Sequence, residues 1–270
     1  MLRLSLTETG SHKSSMYSRT ITTFVFAILL SPLAALADPR PFTFSNDTYP
    51  VGKGDWEYEQ WITWRKHKEN ETGYDRVDFR HEFEFGLADN FDLAFYLPSW
   101  SYEDSDEHTG TQFGSIDVEG IVYLSNPVTN PVGIGLYGEV KVGEDELEFE
   151  NKLLIQKDVG RWTFLYNFIL ETEIEGVFKG DEEDEVEGVL GHSFGATCAV
   201  SPGWFVGAEA LVESVFEDWS HYEHTTVYAG PAISYQGRER LWVTVTPMYQ
   251  LSDTEDEPDF QLRLIAGLMF

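Results

Sequence analysis

The chain has 270 residues, 15% of them aromatic (13 Tyr, 19 Phe, 8 Trp), and a formal net charge of −29. That length suits one all-β domain or two smaller domains, and so acidic a chain cannot neutralise a phosphate backbone, which excludes nucleic acid as a partner. The single cysteine, Cys198, excludes a disulfide framework and a cysteine-built metal centre.

In chain order, the first element is a processing signal. Arg19 precedes an apolar run from Ile21 to Leu30, and Ala35-Leu36-Ala37 supplies the small-x-small pattern of a signal-peptidase site. Residues 1–37 are therefore expected to be a cleaved signal peptide, leaving Asp38 first, with translation expected to begin at Met16. No later segment approaches the roughly 20 apolar residues of a membrane helix. Residues 38–54 read as a periplasmic lead, and residues 55–270 as the folded part.

From there the pattern alternates with period two, the signature of half-buried strands. Val77, Phe79, His81, Phe83, Phe85 and Leu87 share one face, with Asp78, Arg80, Glu82, Glu84 and Gly86 on the other. Trp162, Phe164, Tyr166, Phe168 and Leu170 form a second apolar face, and Phe260, Leu262, Leu264, Ala266, Leu268 and Phe270 a third. The expected strands are 55–66, 74–87, 91–103, 114–124, 132–143, 146–157, 161–176, 187–200, 203–217, 221–235, 240–252 and 259–270. A soluble sandwich also alternates, but it does not set Glu against aromatics on nearly every strand. A membrane barrel uses such rings in its lipid-facing band and interfacial girdles.

The connections fall into two kinds. Turns without acidic clusters follow the even strands (Ala88-Asp89-Asn90, 125–131, Asp158-Val159-Gly160, Ser201-Pro202, 236–239), whereas most odd strands lead into acidic loops such as 103–108, 181–188 and 253–259. Bacterial barrels place short turns in the periplasm and longer loops outside, with an even strand number. The 143–146 connection is an exception, being short on the side of the loops. The expectation is an all-β chain: a single antiparallel transmembrane β-barrel of about 12 strands in the bacterial outer membrane.

The final run QLRLIAGLMF, ending at Phe270, resembles the assembly signal of bacterial outer-membrane barrels, which implies the barrel-assembly machinery as a partner. Asp38-Pro39-Arg40-Pro41-Phe42-Thr43-Phe44 and the strand DWEYEQWITW are similar to an uncharacterised group of outer-membrane barrels. That group is loosely akin to the transporter-like barrels encoded near aromatic-degradation pathways. The resemblance carries over no functional residue.

Several constellations could carry chemistry. Gly191-His192-Ser193-Phe194-Gly195 matches a nucleophile elbow, but the mechanism needs a strand–turn–helix at the serine, and Ala196–Val200 continues as strand. Asp218 with His221 or His224 follows in the right order, yet too close in sequence for that fold. A lipid hydrolase in a barrel wall would need serine and histidine on one face, and neighbours in a strand point oppositely. His221 and His224, three apart on a strand, do not converge on a metal. The acidic loops lack the spacing of a calcium loop and read as solvated segments that could bridge through divalent cations to lipopolysaccharide.

Taking the aromatic faces as lipid-facing puts Glu57, Glu59, Glu82, Glu84, Glu119, Glu139, Glu148, Glu150, Glu171, Glu173, Glu209 and Glu213 inside. Arg65, Arg80, Lys141, Lys152 and Arg263 are their basic partners. An interior so charged holds water or paired ions, because isolated charges are not buried dry. The sequence therefore predicts a channel or transporter-like barrel with an acidic lumen. It would pass small cationic or neutral solutes by diffusion and need neither catalysis nor a cofactor. The alternative is a structural or surface-interaction barrel with a plugged lumen and working acidic loops.

Overall fold

The computed structural model describes residues 40–106, 108–179, 185–237 and 240–270. The signal peptide, the Met16 start, Asp38-Pro39 and the acidic residues 181–184 lie outside the described residues. Within the described residues the strand segments are β1 (Trp56–Lys66), β2 (Asp75–Ala88), β3 (Phe91–Tyr96), β4 (Trp100–Asp104), β5 (Thr109–Phe113), β6 (Ile116–Ser125) and β7 (Gly133–Val142). They continue as β8 (Glu146–Val159), β9 (Trp162–Glu175), β10 (Glu185–Ser201), β11 (Trp204–Glu217), β12 (His221–Gln236), β13 (Leu241–Gln250) and β14 (Phe260–Met269).

All pairings are antiparallel, and β1 pairs with both β2 and β14, so the sheet closes on itself. β2 pairs with β3 at one end and with β4 at the other. β6 pairs with β3, and β5 with β4. The segments β3 and β4 are thus one stave interrupted at Leu97-Pro98-Ser99, and β5 and β6 are another interrupted at Gly114-Ser115. The molecule is a closed antiparallel barrel of twelve staves, in which β1 and β14 cover one another and the short β5, paired with β4 alone, keeps an unpaired side above the break. Pro98 explains the first break, since proline donates nothing to a ladder. The fourth stave begins at Thr109, five residues earlier than the alternation alone predicts, because β5 continues the ladder above the break.

The alternation sorts the faces. Outward-facing Leu87, Phe95, Leu136, Phe164, Phe194 and Ile233 are exposed, while inward positions hold buried polar groups such as Glu82, Asn167, Gln156 and Thr244. This is a soluble protein turned inside out. One end, the turn end, carries the tight connections at Asp89-Asn90, Gly160-Arg161 and Pro202-Gly203. Gly160 (φ 66°) and Gly203 (φ 76°) take the left-handed conformation that such turns require. The loop end carries 67–74, 105–106, 143–145, 218–220 and 251–259.

The seam joins the first and last staves through ten registered pairs, from Glu57 opposite Met269 to Lys66 opposite Phe260. At its turn-end tip the Phe270 ring stacks on Trp56 with centroids 3.9 Å apart, and the Phe270 amide donates to the Trp56 carbonyl at 2.9 Å.

Candidate functional site

The segment read from sequence as a periplasmic lead instead runs inside the barrel. Pro41 through Asn46, with Thr48, are buried, and Phe42 is fully enclosed. The segment pairs with no strand; inward side chains of several staves hold its backbone. The Glu209 carboxylate of β11 accepts from three consecutive amides, Thr43 and Phe44 at 2.9 Å and Ser45 at 3.1 Å, and from the Thr246 hydroxyl at 2.7 Å. Asn167 of β9 accepts from the Asn46 amide at 2.7 Å and donates to its carbonyl at 2.9 Å. Gln156 of β8 takes the Thr48 amide, and Asp92 of β3 takes the Val51 amide. Arg263 donates to the Thr43 carbonyl at 3.2 Å and lies 4.1 Å over the Phe44 ring. Buried amides must find acceptors, and here the lumen supplies them.

The staves also leave room for the segment. A Cβ on Gly86 would stand 1.8 Å from the Gly52 carbonyl oxygen, and one on Gly195 would stand 2.6 Å from the Phe42 ring. Only glycine permits these approaches. Gly195 belongs to the G-x-S-x-G run, and so does Ser193, which is fully buried and donates to Asn167 at 3.2 Å. His192 instead meets the Tyr166 hydroxyl on the outward face at 2.9 Å. The run is the seat of the N-terminal segment, with serine and histidine on opposite faces of the wall.

The segment divides the lumen. Toward the turn end a small chamber of about 30 Å³ is bordered by Asp47, Tyr49, Glu57, Glu59, Glu84 and Glu119. Toward the loop end lies a vestibule of about 690 Å³, floored by Thr43, Phe44 and Asn46. Among the described residues, seven cationic and eight acidic side chains border the vestibule, almost balancing in charge. The pairing is extensive. Arg80 bridges Asp117 at 2.6 Å and Glu139 at 2.7 Å, with its guanidinium 4.2 Å over Tyr96. Lys152 pairs with Glu150 at 2.9 Å, Lys141 with Glu148, and both Arg65 and Arg76 with Asp78.

The acidic candidates are distributed between these spaces. Glu57, Glu59, Glu84 and Glu119 line the turn-end chamber, with Glu82 beside them. Glu139, Glu150, Glu171 and Glu213 line the vestibule, whereas Glu148 and Glu173 face one another across β8 and β9 near its rim. Glu209 lies under the segment as its fastener. The basic candidates Arg65, Arg80, Lys141, Lys152 and Arg263 all border the vestibule. Sequence reasoning missed two further cations there, Arg76 and Arg40; Arg40 reaches Glu59 at 3.3 Å and lies 4.4 Å over Trp61. It also missed the fasteners Asp92, Gln156 and Asn167. Their signal was present: an amide or carboxylate at an inward position in a strand centre needs a partner.

His221 and His224 do not converge. His221 is exposed beside Asp218 at 3.7 Å, while His224 lies 3.8 Å from Glu257.

Residues 34–261 match DUF6662, described as a family of unknown function. No curated protein matches the chain. Among solved structures, the chain is similar to the NanC porin, with a TM-score of 0.55 at 8% identity over 78% of this chain and 98% of that one. It is also similar to the translocator domain of the autotransporter NalP from Neisseria meningitidis, with a TM-score of 0.45 at 13% identity over 94% of this chain and 98% of that one. The first likeness shows a shared barrel fold.

Proposed function

We propose, starting from the fact that the chain belongs to the DUF6662 family of unknown function, that it is an outer-membrane channel for small solutes whose own N-terminal segment closes the lumen. One observation carries this reading. The closure is built from side-chain hydrogen bonds to a segment that belongs to no stave, the kind of fastening that can be released without unpairing the wall. The exposed apolar outer face supports a place in lipid, and the two kinds of connection support loops outside and turns in the periplasm. On this reading the vestibule opens outward and takes a small polar solute between paired charges. Passage follows when the segment leaves Glu209 and Asn167.

The turn-end chamber is the selective part. Among the described residues its acids outnumber its bases, with Arg40 the one cation on its border, so cationic and neutral solutes pass in preference to anions. Outer-membrane lipid and lipopolysaccharide contact the wall, and the barrel-assembly machinery reads the strand ending in Phe270.

Planar-bilayer recording tests the proposal. The full chain is expected to conduct rarely. Glu209→Ala together with Asn167→Ala, which leaves the segment's amides without acceptors, is expected to conduct steadily with cation preference. Silence or anion preference in a double variant that still shows heat-modifiable gel migration would overturn it.

A second reading has an observation of its own: the full enclosure of Phe42, which suits a permanent plug in a structural barrel with working acidic loops. It expects the same variant to stay silent and to lose stability.

A further inference from the structure

The turn-end chamber has a feature that solute passage does not explain. Glu57 and Glu59 of β1 stand directly opposite Glu84 and Glu82 of β2, so four carboxylates form a rectangle on the inner wall. Like charges directly opposite one another are destabilising in a sheet. Oxygens of Glu57, Glu59 and Glu84 all lie within 4.8 Å of one another. Three oxygens on a sphere of calcium–oxygen radius, about 2.4 Å, are separated by no more than about 4.8 Å.

The neighbours hold these groups in place and leave oxygens over. The Trp61 indole donates to Glu59 at 2.7 Å, the Trp242 indole donates to Glu57, and the Tyr96 hydroxyl donates to Glu119 at 2.6 Å. The donors to Glu59, Trp61 and Arg40, both fall on Oε2, and the donor to Glu57 falls on Oε1, so each carboxylate keeps one oxygen to which no indole or guanidinium donates. Glu82 is an independent sign. It is 1% exposed, it stands against the Glu59 carboxyl, and neither of its oxygens has a hydrogen-bond partner among the described residues. Two buried carboxyls in contact require a proton or a cation between them. The one cationic side chain that borders the chamber among the described residues, Arg40, is already committed to Glu59 at 3.3 Å. The chamber itself, about 30 Å³, has room for one ion or water.

We propose that this chamber is a divalent-cation site of calcium size, with Glu57, Glu59 and Glu84 as ligands and Glu82 and Glu119 completing the negative shell. Hard cations take several carboxylate oxygens, and a doubly charged ion neutralises the rectangle better than Arg40 alone. The site ties β1 to β2 beside the seam, on the turn-end side of the N-terminal segment. It is independent of whether the lumen conducts.

The test uses the refolded full chain with Ca²⁺ and, as an optical probe, Tb³⁺. Trp61 and Trp242 touch two of the ligands and should sensitise terbium emission. The expected result is emission excited through tryptophan and displaced by Ca²⁺, together with calorimetric binding of Ca²⁺ and a higher unfolding temperature than in chelator. Glu84→Gln removes a ligand and relieves like-charge repulsion. It should raise heat stability in chelator, abolish the calcium-dependent gain and weaken binding about tenfold or more. Glu57→Gln should weaken binding likewise, while Asp253→Asn with Asp256→Asn in the exposed 251–259 loop should leave it unchanged. Absence of Ca²⁺ and Tb³⁺ binding at millimolar concentration would overturn the proposal and assign the Glu59–Glu82 contact to a shared proton. Binding that survives Glu57→Gln and Glu84→Gln but is lost in the loop variant would overturn it equally.

Discussion

Arg80 illustrates what the lumen demands of single residues. Its guanidinium lies between Asp117, whose side chain is fully buried, and Glu139, and stacks over Tyr96. Removing one partner of a buried ionic group leaves the rest uncompensated, at a cost of about 3–5 kcal/mol. Arg80→Met is therefore expected to lower the denaturant midpoint of the refolded barrel substantially. Arg80→Lys should recover little, because a point charge cannot bridge two carboxylates as a planar fork does. A denaturant titration followed by tryptophan fluorescence checks both, and a midpoint unchanged in Arg80→Met would show the triad to be solvated. Arg80 was legible as a lumen residue because it lies on the polar side of an alternating strand. Its partner Asp117 lies on the same kind of face, two residues before Glu119 and between the exposed Ile116 and Val118, so the alternation carried it too although it was not counted among the acids of the lumen.

The N-terminal segment is the element that alternation could not reveal. It has no period, and its acceptors are single polar residues on four staves: Asp92, Gln156, Asn167 and Glu209. Nothing in sequence links those positions to one another or to residues 40–54; only closure of the barrel brings them together. The glycines left a trace, but Gly195 inside a G-x-S-x-G run invites a catalytic reading until its neighbour Phe42 is seen. The packing yields a sharp prediction. Gly195→Leu fills the seat of the Phe42 ring and should expel the segment while leaving the staves paired. In a Cys198→Ala background, Ser45→Cys should resist a water-soluble maleimide when Gly195 is present and react readily when Leu replaces it. Equal protection in both would mean that the ring finds another seat.

For the whole molecule, twelve staves could be counted from sequence because period two is enforced by two solvents at once, one on each face of the wall. The break at Pro98 escaped because the strand expected at 91–103 runs straight across it, and β5 escaped because Thr109–Phe113, polar and next to the acidic residues 103–108, read as part of that loop. The outward face and closed seam together predict the behaviour of the folded chain on gels. Unheated, it should migrate as a compact species, and after boiling as an extended one. Phe270→Ala, which removes the ring stacked on Trp56, should slow refolding into lipid vesicles when the compact band is followed over time. An identical time course would assign the ring no part in closure.

The four acceptors that grip the segment stand around the circumference, and they come within reach of one peptide only when the wall is round. A flattened or partly zipped sheet would offer one or two of them and never the set. Docking therefore happens late in the chain's history and acts as a gauge. The segment held inside the barrel is also the part that can register whether the cylinder has been completed.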